Sequence, residues 1–370
     1  MHDLAIISRI QSITPLEGKD KIVLARVENY NTIIDKDEFK EGDTVIYVFH
    51  DAILPVKEEY EFLRKRCWSE RYQGFQIKPM LIGGVVSEGL VLPMSYLKGK
   101  DYTLGQDVSQ ELEIRDTDEE DLNLRFYLHC GTQKTGRLFN NKFIVNFLKK
   151  FEFASGILLK NNITVDYPKW IKKSDEVDIE KCYIDQLGKN LEYIITEKIE
   201  GMSVAYAIDR FNRFRIFSHN YEVLNGTQKI YADASSMERK LREYCNEKGL
   251  KGICIQGEFV GPGIRCNVYG NTCYDFYMFG GCHLNGTPLT WDELSDINAL
   301  TKIKVVPYLG TSRMYDIDDM IRDSEGFSKV VDMHEKPIPR EGVVWRTADG
   351  TNHFRVKARN YKVWFSERAK

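Results

Sequence analysis

The sequence predicts an α+β protein of two domains, in which a small N-terminal β-barrel precedes a domain of mixed or antiparallel sheets with flanking helices. Three observations support this. The 370 residues exceed what one hydrophobic core usually serves. Residues 1–115 contain short strand-like segments separated by turns, whereas residues 156–370 contain strand-like segments with helices placed irregularly among them. Apolar residues make up 42% and charged residues 29%, which is typical of a folded chain.

The N-terminal domain is predicted over residues 1–115. Residues 23–27 and 44–48 are strand-like, and residues 41–43 form a turn before the second of these strands. Glycines at 83, 84 and 89 flank a further β-like segment, which ends at Pro93. Short strands at this spacing fit an OB-fold, although the pattern alone does not separate it from another small barrel or a sandwich.

An acidic connector with a helical insertion is predicted over residues 116–155. Acidic side chains cluster at residues 116 and 118–121, and such charge runs are usually solvated. Apolar residues follow at helical spacing between Phe139 and Phe151, which indicates a packed helix.

The second domain is predicted over residues 156–370. Its strand-like segments are residues 193–197, 204–208, 214–217, 253–259, 274–279, 342–346 and 353–357. Capping boxes mark two helices, one opening at residues 235–238 and stopping at Gly249, the other opening at residues 290–293.

Composition and charge exclude several classes of protein. A formal net charge of −3 argues against a generally basic nucleic-acid coat, although it leaves room for a local basic groove. No apolar run reaches the roughly 18 residues of a membrane span, and the first residues lack the regions of a secretory signal. The 8 cysteines are scattered without a Cys-x-x-Cys pair, which predicts free thiols rather than a metal cluster. We therefore expect a cytoplasmic monomer without membrane partners.

Five short blocks occur in a fixed order along the second domain. Lys198 stands at a predicted strand end, two residues before Glu200 and three before Gly201. The other blocks are Ser-His-Asn at 218–220, Gln-Gly-Glu-Phe-Val-Gly at 256–261, Glu-Gly-Val-Val at 341–344 and Phe-Arg-Val-Lys at 354–357. Taken alone, such a lysine is more often a solvated side chain and each glutamate a surface charge. The ordered combination indicates a nucleophilic lysine served by acids and cations.

A lysine amine attacks only when it is neutral, and its usual pKa of about 10.4 keeps it protonated near pH 7. Arg355 and Lys357 would lower the pKa of Lys198 if the last strand returned beside it. Attack on a nucleotide α-phosphate also needs positive charge around the developing oxyanion. Glu200, Glu258 and Glu341 are the acids placed to hold a divalent metal ion for that purpose.

Aromatic residues near position 277 offer a surface for a base. Tyr277 and Phe279 share one face of a predicted strand, and Phe276 and Met278 share the other. An adenine could stack on one of these rings, although aromatic strand residues are more often part of a core.

These blocks resemble those of ATP-dependent RNA ligases of the covalent nucleotidyltransferase superfamily, and more narrowly of the nick-sealing type with an N-terminal OB domain. The resemblance covers most of the chain except residues 116–155, and residues 256–264 are its most specific part. It implies three steps in RNA repair. Lys198 is adenylated by ATP, AMP passes to an RNA 5′-phosphate, and an RNA 3′-hydroxyl then displaces AMP.

The resemblance also implies the site residues. Phe279 would stack on adenine, with Tyr277 as second choice, and Lys357 would contact the α-phosphate. The implied catalytic residues are Lys198, Glu258, Glu341 and Lys357. Those implied to bind ATP are Glu197, Lys198, Ile199, Glu200, Gly201, Asn220, Glu258, Phe279, Val343, Arg355 and Lys357. Those implied to hold Mg²⁺ or Mn²⁺ through water are Glu200, Glu258 and Glu341. Those implied to contact RNA or phosphate are His219 and Lys173.

Four positions depart from the family pattern. Glu200 stands where aspartate is usual, and Arg355 stands where lysine is usual. His219 and Asp178 each stand where the family bears an arginine. Since the nucleophile and three acids remain, we expect an active enzyme with altered recognition of phosphate or RNA ends.

Three alternatives stay open. DNA ligases and mRNA guanylyltransferases share the lysine chemistry, but they usually place an OB domain after the catalytic domain, and only about 13 residues follow Lys357. A non-catalytic nucleic-acid-binding relative would have no reason to keep Lys198 and its acids. The partner expected here is RNA, as a nicked duplex or as broken ends. A loosely basic stretch either contacts RNA or is simply solvated, and it comprises lysines 142, 149, 150, 160, 169, 172 and 173.

Overall fold

The computed structural model describes residues 3–98, 101–117, 142–149, 151, 154–160, 165–173, 176–219, 221–223, 234–330 and 337–368. The chain divides into two compact units, one of Met1–Gly131 with Lys362–Lys370 and one of Thr132–Tyr361. Most of the predicted acidic connector lies outside the described residues, and the domain boundaries predicted at residues 115 and 155 stay predictions.

The first unit is built on a five-stranded antiparallel sheet. Its strands are β1 (Ala5–Pro15), β2 (Ile22–Val27), β3 (Tyr30–Asp35), β4 (Thr44–Phe49) and β10 (Gly89–Pro93), in the order β10-β4-β1-β2-β3. Strand β1 pairs with β4 through its first half and with β2 through its second, and its register shifts between Ile10 and Ser12. Such a bend lets one strand serve both halves of a small barrel.

The chain between β4 and β10 and the segment after β10 add smaller elements to the first unit. A four-stranded sheet has the order β11-β5-β7-β6, and β8 pairs with β9 in a hairpin. The hairpin turns at Gly83 and Gly84, whose φ values of 62° and 88° suit glycine. The elements are β5 (Ala52–Leu54), 3₁₀ turns Glu58–Leu63 and Met94–Tyr96, α1 (Arg64–Cys67), β6 (Trp68–Ser69), β7 (Gly74–Gln76), β8 (Met80–Ile82), β9 (Val85–Ser87) and β11 (Arg115–Asp116).

The second unit contains two sheets. The first has the order β12-β22-β21-β13-β20, and its strands are β12 (Val177–Asp178), β13 (Glu192–Lys198), β20 (Tyr308–Arg313), β21 (Gly342–Arg346) and β22 (His353–Lys357). The second has the order β16-β15-β14-β17-β18-β19, and its strands are β14 (Met202–Ile208), β15 (Phe214–Ser218), β16 (Glu222–Val223), β17 (Ile253–Val260), β18 (Asp275–His283) and β19 (Lys304–Val305). Only β12–β22 and β18–β19 pair in parallel among the described strands. The predicted α+β class with mixed sheets is confirmed.

The helices lie mostly in the second unit. They are α2 (Lys142–Leu148), α3 (Ser155–Lys160), α4 (Ile179–Leu187), α5 (Ala234–Glu247), α6 (Trp291–Thr301), α7 (Ile317–Ser324) and α8 (Arg359–Arg368), with a 3₁₀ turn at Arg265–Asn267. The capping box at Thr290 and Glu293 is confirmed. The capping box predicted at Ser235 is wrong, because α5 already begins at Ala234 and Ser235 lies inside its first turn. The start of that helix follows residues that lie outside the described part of the chain.

Each sheet of the second unit buries one face under helices. On the first sheet, Tyr193, Trp345 and Phe354 pack against residues of α4 and α7. On the second, Tyr206, Ile255 and Met278 pack against residues of α5 and α6. Because side chains alternate along a strand, the residues between these apolar positions belong to the opposite faces. Lys198, Glu258, Arg355 and Lys357 belong to these opposite faces.

Candidate active site

Lys198 ends β13, and strand pairing brings it beside two other blocks. Tyr193 of the same strand is buried under helices, so Lys198 belongs to the opposite face of the sheet. Lys198 is paired with Gly342 of β21, and Gly342 is paired with Lys357 of β22. Since directly paired residues share a face, the two lysines flank a position without a side chain.

Gly342 is the residue that this arrangement requires. Its φ is 152°, a conformation that L side chains rarely adopt. An added Cβ would lie 2.2 Å from the carbonyl oxygen of Val356. Glycine therefore allows the close approach of β21 and β22 that places Lys198 and Lys357 on either side of residue 342.

Lys198 forms an ion pair with Glu341, the residue before β21. The Lys198 Nζ atom lies 2.6 Å from Glu341 Oε1, and the two side chains are only 17% and 13% exposed. Burial, the strongest influence, lowers the pKa of Lys198, and Arg355 lowers it too. Glu341, Glu200 and Glu258 outweigh them, so the pKa of Lys198 lies above its usual value. Arg355 therefore lowers the pKa of Lys198 as expected, but the carboxylates determine the net direction of the shift.

Two further carboxylates lie close to this ion pair. Burial, aided by the charge of Glu341 and opposed by that of Lys198, raises the pKa of Glu258 to about 8. Burial and the charge of Glu341 raise the pKa of Glu200 to about 7, against the charge of Arg265. Burial therefore favours the neutral form of both acids, and a nearby cation would favour their charged form.

The carboxylates fit a hard cation or its water shell. Glu258 Oε2 and Glu341 Oε2 are buried and have no hydrogen-bond partner within the described residues. Oxygen atoms of this kind are the ligands that Mg²⁺ and Mn²⁺ prefer. In the described part of the chain, no three His, Cys, Asp or Glu side chains are grouped closely enough to hold a metal ion. Contact through water from Glu200, Glu258 and Glu341 stays a prediction.

Close packing also explains why residue 201 is a glycine. A Cβ on this residue would lie 2.9 Å from the carbonyl oxygen of Phe259 and 3.1 Å from Glu258 Oε2. The block that begins at Lys198 thus packs directly on the strand that carries Glu258.

Arg355 and Lys357 share a carboxylate partner. Arg355 Nε lies 2.6 Å and Nη2 3.3 Å from the two carboxylate oxygens of Asp178. Lys357 Nζ lies 3.8 Å from Asp178 Oδ1. Two of the cations expected to meet a phosphate are therefore held by one buried aspartate.

The aromatic residues of β18 follow the predicted alternation as far as Met278. Phe276 and Met278 belong to the helix-covered core, whereas Tyr277 is paired with Glu258 and belongs to the other face. Phe279 stands at a register shift between β17 and β18, so alternation alone does not fix its face. The Arg346 guanidinium carbon lies 5.9 Å from the centre of the Phe279 ring, and Lys304 Nζ lies 5.2 Å from that of Tyr277. Each ring therefore already has a cation as neighbour.

The remaining predicted residues occupy different environments. Glu197 is buried on the other face of β13 and accepts hydrogen bonds from Ser328 Oγ at 2.5 Å and the Lys329 backbone N–H at 2.8 Å. Ile199 is buried, and Val343 belongs to the helix-covered core. His219 and Lys173 are exposed. Asn220 lies outside the described residues.

Several neighbours of the site were missed by sequence reasoning. Arg346 Nη2 lies 3.6 Å from Glu176 Oε1, and its position two residues beyond Val344 could have placed it on the site face. The Tyr269 hydroxyl accepts a hydrogen bond from the Glu200 backbone N–H, and the Tyr361 hydroxyl donates to Glu200 Oε2 at 3.4 Å. No sequence pattern indicated these two tyrosines.

The second unit thus buries a lysine among acids and cations where its two sheets meet. Residues 191–363 match a family model described as RNA ligase. Residues 4–94 match a model described as an OB-fold domain. The predicted resemblance to RNA ligases and the predicted OB-fold are confirmed.

Solved structures of Naegleria gruberi RNA ligase share this fold. An apo variant has a TM-score of 0.74 and 21% identity, covering 97% of this chain and 97% of that one. A variant with ATP and Mn has a TM-score of 0.72 and 21% identity, covering 99% and 98%. A variant with AMP and Mn has a TM-score of 0.74 and 21% identity, covering 98% of each. No curated protein sequence matches the chain significantly. Among the described helices, none combines the length and the apolar character that crossing a lipid bilayer demands.

Proposed function

We propose that the chain is an ATP-dependent RNA ligase that joins 3′-hydroxyl and 5′-phosphate ends through a lysyl-AMP and an RNA-adenylate intermediate. The observation that carries this proposal is the position of Lys198 at a strand end. Its side chain forms an ion pair with Glu341, and strand register places it across Gly342 from Lys357. A purely structural lysine would have no need for this buried set of charges. The similar ligase structures that contain ATP or AMP with Mn support the same choice of nucleotide and metal.

The first step makes a bond between Lys198 Nζ and the α-phosphorus of ATP. The bond from that phosphorus to the bridging oxygen breaks, and pyrophosphate leaves with the electron pair. Lys198 must first give up the proton that its ion pair with Glu341 now stabilises. Arg355 and Lys357 would bind the α-phosphate oxygens and stabilise the charge that develops on them.

A divalent metal ion would supply further positive charge against the phosphates. Glu200, Glu258 and Glu341 are the residues that would hold it through water. Among the described residues, Glu258 Oε2 and Glu341 Oε2 have no hydrogen-bond partner, in agreement with that role.

The nucleotide would contact several further residues. We propose that Phe279, which lies beside Arg346, stacks on adenine, with Tyr277 on the face of Glu258 as second choice. The other proposed ATP contacts are Ile199, Gly201 and Asn220, together with the backbone of Glu197 and Val343, whose side chains lie on the helix-covered face. The exposed His219 directly follows β15.

In the second and third steps the substrates are the two RNA ends. An oxygen of the RNA 5′-phosphate attacks the lysyl-AMP phosphorus, and the bond to Lys198 Nζ breaks. The 3′-hydroxyl then attacks the RNA phosphate and releases AMP. We propose that His219 and Lys173 contact RNA or phosphate, and that the active form is a cytoplasmic monomer.

The test is covalent labelling of purified protein. The chain, first stripped of any bound AMP, is incubated with α-labelled ATP or GTP and with Mg²⁺ or Mn²⁺, then separated on a denaturing gel. Lys198→Ala is the test variant. Lys251→Ala is the matched control, because Lys251 is exposed in the same unit and precedes the far end of β17.

A label from ATP in the wild type and in Lys251→Ala, but not in Lys198→Ala, supports the proposal. A label from GTP alone would indicate capping chemistry instead. No label from folded protein would favour a non-catalytic nucleic-acid-binding protein. Nicked RNA and nicked DNA duplexes then separate RNA ligase from DNA ligase by the joined product.

A further inference from the structure

We propose that Asp178 is a positioning residue for phosphate binding: it fixes the direction of Arg355 and Lys357 and offsets part of their charge. The inference rests on the proposed function, since it names what aims the two cations at a nucleotide. It concerns two of the positions at which the chain departs from the ligase pattern, residues 178 and 355. These two departures are in direct contact.

The contact is set by the backbone. Strand β12 runs parallel to β22, and Asp178 is paired with Arg355. Both side chains can therefore meet on one face of the sheet, 177 residues apart in the chain. Asp178 is buried, at 9% exposure, and the Arg355 side chain is 23% exposed. Water therefore screens the pair only partly.

The geometry of the pair is bidentate. Two nitrogens of Arg355 donate to the two oxygens of Asp178, at 2.6 Å and 3.3 Å. Such a bidentate contact fixes the plane of the Arg355 guanidinium. A lysine at this position would have one ammonium group and could not be oriented in the same way. An arginine at position 178 would face Arg355 with a like charge. Aspartate at 178 and arginine at 355 thus depend on each other.

The same carboxylate reaches Lys357, whose Nζ lies 3.8 Å from Asp178 Oδ1. A phosphate that approaches Arg355 and Lys357 therefore meets two cations and one anion rather than two cations alone. Asp178 should weaken the binding of ATP while it holds the cations in the direction that the reaction needs.

This dual role predicts that Asp178→Asn increases the affinity for ATP and decreases the rate of adenylation. Loss of the negative charge should tighten ATP binding by about fivefold, because the cations are no longer offset. Loss of the bidentate pair should slow adenylation at saturating ATP by about tenfold or more, because the cations are less well directed. A residue that only stabilised the fold would weaken binding and rate together.

The experiment measures the two effects separately. ATP affinity with Mn²⁺ is measured in the Lys198→Ala background, where no covalent bond forms. The rate of adenylation is measured at saturating ATP in chains that keep Lys198. Asp178→Glu keeps the charge, and we expect near wild-type affinity with an intermediate rate. Asp319→Asn is the control, since it removes a charge from a surface pair with Arg322 in the same unit.

A double-mutant cycle with Arg355→Lys tests whether Asp178 acts through Arg355. We expect Asp178→Asn to slow Arg355→Lys much less than it slows the wild type, because the bidentate pair is already lost. Thermal melting of each variant confirms that it is folded.

The outcomes separate this inference from the proposed function. Tighter ATP binding with slower adenylation supports it. Equal loss of affinity and rate, unchanged values, or additive effects in the cycle would overturn it while the ligase proposal stands. If the wild type neither binds ATP nor forms an adduct, the proposed function fails and the role of Asp178 fails with it.

Discussion

Gly342 gives the sharpest test of how the strands align the two lysines. An alanine Cβ at this position would lie 2.2 Å from the Val356 carbonyl oxygen, so β21 and β22 would have to separate by on the order of 1 Å. Gly310 offers a matched control on the other side of β13. Its φ is 157°, close to the 152° of Gly342, but a Cβ there would meet nothing within 4 Å.

The difference between Gly342→Ala and Gly310→Ala therefore isolates the clash from the backbone strain. Forcing a methyl group into a packed site costs about 2 kcal/mol, so Gly342→Ala should melt roughly 4–8 °C below Gly310→Ala. Separation of β21 from β22 also shifts Lys357 away from Lys198. We expect adenylation by folded Gly342→Ala to fall by about tenfold or more.

Thermal melting followed by circular dichroism measures the first effect, and labelling with α-labelled ATP below the melting range measures the second. Equal melting temperatures for Gly342→Ala and Gly310→Ala, together with wild-type labelling, would refute the proposed strand geometry.

Three further predictions concern the base, the acids and a buried ion pair. Phe279→Leu should weaken ATP binding by about tenfold through loss of stacking, as measured by calorimetry, and unchanged affinity would move the base to another ring. The pKa of Glu258 is raised to about 8 in the folded chain, so its contribution to stability is present at low pH and is lost as the pH rises through about 8. Glu258→Gln should therefore raise the melting temperature more at pH 8 than at pH 5, and an equal change at both would contradict this. Arg215 donates to Glu222 at 2.9 Å and 2.6 Å in a buried pair beside the Ser-His-Asn block. Glu222→Ala should lower the free energy of unfolding by about 3 kcal/mol in urea titration, and a change below about 1 kcal/mol would count against a tight pair.

Strand ends and alternation made much of the second unit predictable. The predicted strands at residues 342–346 and 353–357 are the observed β21 and β22. Alternation within a strand put Phe276 and Met278 in the core and Tyr277 on the other face. These features are local, so a single sequence is sufficient to predict them.

Other features depend on contacts between distant segments. β12 has only two residues, and no local sequence pattern predicts that it pairs with β22. The contact of Asp178 with Arg355 was therefore not predictable, although both residues stood out as departures. The same holds for the pKa of Lys198, whose direction depends on how closely three carboxylates gather around it.

Site mapping of the nucleotide tests the central claim most directly. Wild-type protein stripped of AMP is incubated with ATP and Mn²⁺, digested with protease and examined by tandem mass spectrometry at neutral to alkaline pH. We expect AMP on Lys198 and on no other residue, and we expect added pyrophosphate to remove it and regenerate ATP. AMP on a different lysine, or folded protein that carries no adduct, would contradict the account.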